Sequence, residues 1–144
     1  MRPLLAAVSI AAYLTFAGAA LADFGLTVTT LDVRTGGTLR GHGNAVGMPV
    51  YLVPESRAPR PFWCDKHRGL CPPRTATPPG KPYVLLGHLG GRYSPRTVRE
   101  QRFAFRVPAV PPGRYQVVFW CRPCGGSLLL AGATVHGQVV RVRS

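Results

Sequence analysis

Four cysteines, four histidines and a large excess of arginine are the residues whose types and spacing could carry chemistry in this chain. The cysteines form two local pairs, Cys64 and Cys71 in CDKHRGLC and Cys121 and Cys124 in WCRPC. Four cysteines allow three pairings. Easy local closure favours Cys64 with Cys71 and Cys121 with Cys124, and the long loop that holds the first pair offers the alternative of bringing Cys64 or Cys71 to the second. A further reading joins the thiols to His67 as a sulfur and nitrogen set suited to Zn or Cu(I). One C-x6-C with one C-x2-C does not reproduce zinc-ribbon spacing, so no metal ligand is assigned. His42, His88 and His136 stand apart from one another and are expected to be solvated or hydrogen-bonded strand residues. The carboxylates Asp23, Asp32, Glu55, Asp65 and Glu100 form no close pair, and no nucleophile elbow is present. No catalytic residue and no cofactor is expected.

Charge is the other signal. Eighteen Lys and Arg face five Asp and Glu, for a net charge of +13. All the basic residues but Lys66 and Lys81 are arginine, whose planar guanidinium grips phosphate or carboxylate through two donors at once. Arg57, Arg60, Lys66, Arg68, Arg74 and Lys81 crowd one proline-rich stretch and are the candidate anion-binding set. Phe62, Trp63 and Tyr93 lie close to these charges in sequence. Such an excess attracts polyanions at long range and weakens with salt. Arginine in place of lysine, with much Gly, Ala and Pro, is the composition of a GC-rich bacterial coding sequence.

Residues 1–22 read as a signal peptide. Arg2 supplies the positive start, an apolar stretch follows, and Ala20-Leu21-Ala22 is a small-x-small cleavage pattern. Retention of this segment as an anchor is the alternative, because its apolar length approaches the roughly 20 residues of a membrane span. Cleavage leaves about 120 residues, one ordinary domain with no further span. The expected location is secreted or extracytoplasmic, a compartment that permits disulfides.

The elements that must position these residues are strands. Residues 102–107 alternate so that Phe103, Phe105 and Val107 share one face, and residues 114–121 place Tyr115, Val117, Phe119 and Cys121 together. Between them Val110-Pro111-Pro112-Gly113 suits a type II turn with Gly113 at positive φ. Residues 24–33 read as one strand, with a bulge near Thr29 and Thr30 where the apolar parity changes. Further strands are expected over 38–42, 48–53, 83–89, 127–131 and 134–142. Residues 54–82 hold eight prolines, which remove ladder donors and predict a long insertion loop. No segment has a helical period of ten residues or more. About seven strands in a single domain over residues 23–144 predict an all-β sandwich.

The succession of a strand with Gly41 and Gly43, the PVYLV strand, a Phe-x-Phe-x-Val-Pro strand and PPGRYQVVF resembles the immunoglobulin-like and prealbumin-like modules of secreted bacterial proteins. The resemblance implies architecture more than activity. Trp120-Cys121-Arg122-Pro123-Cys124 resembles the active-site motif of thioredoxin-like oxidoreductases, which would make Cys121 the attacking thiol and Cys124 the resolving one. The functional expectation is a secreted, non-enzymatic β-sandwich whose partners are anionic cell-envelope polymers or an extracellular protein, without specific nucleic-acid recognition. A thiol-disulfide oxidoreductase and an extracytoplasmic metal-binding protein are the alternatives.

Overall fold

The computed structural model describes residues 24–60, 73–91, 100–132 and 137–144. The expected signal peptide, Cys64, Cys71, His67, Lys66, Arg68, Phe62, Trp63, Tyr93 and His136 lie outside the described residues. Within them the chain is all-β: β1 (Leu26–Val28), β2 (Asp32–Arg34), β3 (Thr38–Gly43), β4 (Pro49–Pro54), β5 (Val84–His88), β6 (Gln101–Arg106), β7 (Gly113–Cys121), β8 (Ser127–Leu130) and β9 (Val139–Arg143). Two three-residue 3-10 turns, Glu55–Arg57 and Arg122–Cys124, follow β4 and β7. Among the described residues no helix is long and apolar enough to cross a membrane.

The strands form two packed sheets, a β-sandwich. One sheet has the order β1-β3-β6 and the other β2-β9-β7-β4-β5, with β8 alongside the far end of β7. All pairings are antiparallel except β2 with β9. The inward faces follow the alternation of the sequence. Leu26, Val28, Leu39 and Phe103 of the first sheet meet Val33, Val50, Leu52, Val117, Phe119, Val140 and Val142 of the second in one core. Phe103 stacks on Phe105 with ring centroids 4.9 Å apart. Gly41, its partner across β3 and β6, makes room for the ring, since a Cβ there would come within 2.3 Å of it.

Nine strands form where about seven were expected, and one expected strand is divided. Residues 24–33 are not one bulged strand. Thr29 and Thr30 both donate their backbone N–H to the Arg40 carbonyl, at 2.9 and 3.3 Å. The bulge is therefore the point where the chain leaves the first sheet for the second, becoming β2. The parity change in the sequence marks this crossing. At the other end, β8 and β9 run along the same edge of β7, opposite Val118 to Cys121 and Gly113 to Gln116 respectively. Gln138 N–H donates to the Ala131 carbonyl at 2.9 Å.

The type II turn expected at Val110 to Gly113 is not formed. Gly113 begins β7, pairs with Val142 and does not adopt positive φ. The chain passes here from one sheet to the other, and the Tyr115 hydroxyl donates to the Pro111 carbonyl at 2.7 Å, fixing the corner. Burial raises the pKa of that hydroxyl above its usual value.

Two contacts close the sandwich at its edges. The Gln138 side-chain amide donates to the Val28 carbonyl and accepts from the Val28 N–H, both at 2.7 Å, as a neighbouring strand's peptide group would. Gly132 N–H donates to the Leu26 carbonyl at 2.7 Å. The free edge of β1 is thereby occupied rather than offered for pairing with another chain. The second contact involves the proline-rich loop. Residues Tyr51, Val53, Val118, Trp120, Leu128 and Leu130 form a second apolar cluster, with Ala58 and Tyr83 of the loop packed against it. β7 is thus buried on both faces, which accounts for its unbroken Val-Val-Phe-Trp-Cys run.

Candidate anion-binding site

The outward face of the six-stranded sheet has two halves. One is the apolar cluster beside the proline-rich loop, and the other is arginine. β9 alternates Val140 and Val142 inward with Arg141 and Arg143 outward, β2 places Val33 inward and Arg34 outward, and β7 begins with Arg114 outward before Tyr115. Pairing of these three strands gathers Arg34, Arg114, Arg141 and Arg143 around a concavity of about 480 Å³, completed by Pro112, Gly113, Val142 and Ser144.

The register is unusual electrostatically. Arg34 lies opposite Arg143 across β2 and β9, and Arg114 lies opposite Arg141 across β7 and β9. Adjacent strands are only about 4.8 Å apart, and like charges directly opposite one another destabilise a sheet. One member of each pair has a carboxylate. Arg143 Nε donates to Asp32 Oδ1 at 2.6 Å, and Arg114 Nε donates to Glu55 Oε2 at 2.6 Å with Nη2 to Oε1 at 3.3 Å. The hydrogen bond from Arg114 holds the Glu55 carboxyl below its usual range, with the charge of Arg60 adding to the effect, and the same contact raises the Arg114 pKa. Arg34 and Arg141 make no ion pair among the described residues, although Asp32 lies opposite Arg141 across β2 and β9.

The third described ion pair is His42 with Glu100, on the outer face of the other sheet. It borders a second concavity, lined in part by Arg40 and Arg102. Every described side-chain carboxylate is therefore engaged with a cationic or imidazole partner.

The candidates from the sequence are placed differently. Arg57, Arg60, Arg74 and Lys81 are exposed along the loop between β4 and β5, and Lys66 and Arg68 lie outside the described residues. Arg57 belongs to the same 3-10 turn as Glu55, so the loop reaches the strand arginines through the Glu55–Arg114 bond. Arg74 lies at the opposite end, in an isolated bridge with Ser127. Arg34, Arg114, Arg141 and Arg143 were not singled out as a set by sequence reasoning. The outward parity of Arg141 and Arg143 was the one available signal.

Cys121 and Cys124 form a disulfide with their Cα atoms 5.1 Å apart. Cys121 is fully buried at the end of β7. The turn Arg122–Cys124 stops at Gly125, which is left-handed at φ 72°, so no α-helix begins at this motif. An activated first cysteine of the thioredoxin type sits exposed at a helix N-terminus, and this corner supplies neither feature. Instead it receives the loop. Thr75 N–H donates to Gly126 O at 2.9 Å, Leu128 N–H donates to Pro73 O at 3.0 Å, and Trp120 Nε1 donates to Thr75 Oγ1 at 3.1 Å. Gly126, at φ 79°, permits this approach, since a Cβ would lie 2.0 Å from the Thr75 carbonyl oxygen. Among the described residues no three His, Cys, Asp or Glu side chains converge in a metal-binding arrangement.

No protein-family model, no curated protein and no solved structure matches this chain, so its residues and their geometry carry the functional reading.

Proposed function

We propose that this chain is an exported, non-enzymatic, immunoglobulin-like β-sandwich that binds anionic polymers of the cell envelope or extracellular space through the outer face of β2, β9 and β7. The immunoglobulin-like reading is supported by a first strand that changes sheets to run parallel to the last, and by the Tyr115 hydroxyl bond to Pro111 at the corner entering β7. The disulfide is read as a clip for the β7–β8 corner that seats the loop.

One observation carries the functional reading: two cross-strand pairs on this face set arginine against arginine, and the two carboxylates beside them, Asp32 opposite Arg141 and Glu55 bonded to Arg114, leave the four arginines in excess. A sheet that needed only solubility would gain by alternating the signs. The arrangement is stable beside an external anion, and exposed Arg57, Arg60, Arg74 and Lys81 extend the positive surface along the loop.

The test is retention on immobilised polyphosphate against neutral dextran. Binding to polyphosphate that is lost as ionic strength rises to about 0.5 M, where the Debye length falls below about 5 Å, and that is weakened in Arg34→Gln/Arg141→Gln, supports the function. Equal indifference to both matrices removes it.

A further inference from the structure

The charge balance of the arginine concavity, together with the guanidinium atoms already in use, indicates which anion it takes; this step rests on the anion-binding reading above. The four guanidiniums that line it, set against their partner carboxylates Asp32 and Glu55, leave two positive charges uncompensated before Arg60 beside Glu55 is counted. Both carboxylates occupy the Nε side of their arginines. Asp32 leaves the two Nη groups of Arg143 outside its bond, and Glu55 leaves Nη1 of Arg114. The paired arginines are thus oriented with donors to spare, since a guanidinium carries five N–H groups.

Arg34 and Arg141 are diagonal neighbours across the parallel pair β2 and β9, and the Asp32–Arg143 bond spans the other diagonal of the same face. Both arginine side chains are long and flexible enough to converge over that bond. A single tetrahedral group can therefore be gripped by both. A carboxylate or a phosphodiester brings one negative charge and leaves half of the excess unbalanced. A phosphomonoester carries nearly two above its second ionisation near pH 6, and offers three oxygens as acceptors.

We propose that the concavity is a binding site for the terminal phosphate of a phosphomonoester, held between Arg34 and Arg141 and flanked by Arg114 and Arg143. The charged groups of the elements packed around it are these arginines, Asp32 of β2, and Glu55 and Arg60 at the start of the loop. Among the described residues no histidine lines the site. A ligand with a second ionisation near pH 6 gains about tenfold in dianion between pH 5 and pH 7.5, whereas sulfate keeps its charge and reports any change in the protein's own groups.

Titration calorimetry on the full chain at low, fixed ionic strength compares glycerol phosphate, dimethyl phosphate and sulfate at the two pH values. The expected result is that glycerol phosphate binds at least tenfold tighter than dimethyl phosphate at pH 7.5 and loses about tenfold at pH 5, while sulfate is unchanged. Arg34→Gln and Arg141→Gln each erase the preference for the monoester. Vesicles of phosphatidylcholine bearing phosphatidic acid, a surface-borne monoester, separate the two sources of this chemistry: binding to them, to the soluble ester, or to both supports the site. Equal affinity for monoester and diester, or a pH trend shared by sulfate, overturns the monoester assignment while polyphosphate retention keeps the broader reading. Absence of binding to every anion, with no retention on polyphosphate, overturns both. The comparison of ligands on the unsubstituted chain decides the matter even if a variant fails to fold.

Discussion

Replacing Gln138 by alanine tests how the first strand is held to the rest of the sandwich. The Gln138 amide makes two hydrogen bonds of 2.7 Å to the backbone of Val28, in a partly buried position at the edge of β1. Truncation leaves the Val28 N–H and C=O without their partner. An unsatisfied buried polar group costs about 1–3 kcal/mol, and the lower end applies where water can partly reach. Two such groups, with some lost contact against Gly132, give an expected destabilisation of about 2–3 kcal/mol. That is a sizeable share of the 5–15 kcal/mol typical of a domain. Urea unfolding reads the loss directly, and amide exchange at Val28 locates it. Gln138→Glu sharpens the test, since it keeps an acceptor for the Val28 N–H but sets a carboxylate oxygen against the carbonyl. The folded-state pKa of that Glu is raised above its unfolded value. Its stabilising contribution is therefore full below the unfolded pKa, near 4.3, and is lost as pH rises through the folded one. A destabilisation of Gln138→Ala below about 0.5 kcal/mol, with unchanged exchange at Val28, would refute the reasoning.

Three further outcomes follow from the same geometry. Cys121→Ser/Cys124→Ser, or reduction, removes a bridge across a very short loop, so chain entropy predicts a loss of only about 2 kcal/mol; circular dichroism should still report the β-sandwich, and wholesale unfolding would contradict the clip role. Gly126→Ala places a Cβ where the Thr75 carbonyl now sits and strains a left-handed residue. It should undock the loop at Trp120, seen as a red shift in tryptophan emission, and an unshifted spectrum counts against the docking contact. Glu55→Gln removes a carboxyl whose pKa is lowered by its hydrogen bond to Arg114. The Glu55 contribution is present above its unfolded pKa and disappears as pH falls through the lower folded value. The gap in melting temperature between wild type and Glu55→Gln should therefore close on acidification below about pH 4, and a gap independent of pH would show that the ion pair is not its cause.

Period was the legible part of the sequence. Residues 102–107 and 114–121 alternate strictly enough that Phe103, Val107, Tyr115, Val117 and Phe119 could be placed in the core, where they are buried. The sheet to which a strand belongs is set by pairing, and pairing is not local. The parity change at Thr29 and Thr30 is visible in sequence, yet a bulge and a change of sheets produce the same pattern. Trp120 illustrates a second gap. It occupies the face of β7 that alternation assigns to solvent, and only the docking of Thr75 and the neighbouring apolar cluster explains why it is 8% exposed. The candidate site was hidden for the same physical reason. The loop cations are dense along the chain, but density in sequence is not proximity in space. Arg34, Arg114 and Arg141 are far apart in the chain and meet only because β9 lies between β2 and β7.

The account depends most on external anions being held by the strand arginines rather than attracted by net charge alone. The salt dependence of polyphosphate binding separates these, because each direct phosphate contact in a flexible polyanion contributes about 0.7 to the slope of log K against log salt. For Arg34→Gln/Arg141→Gln the slope should become shallower by about 1.4, while Arg40→Gln/Arg102→Gln on the opposite sheet, with the same change in net charge, leaves it unaltered. Equal slopes for the two double variants would contradict the claim.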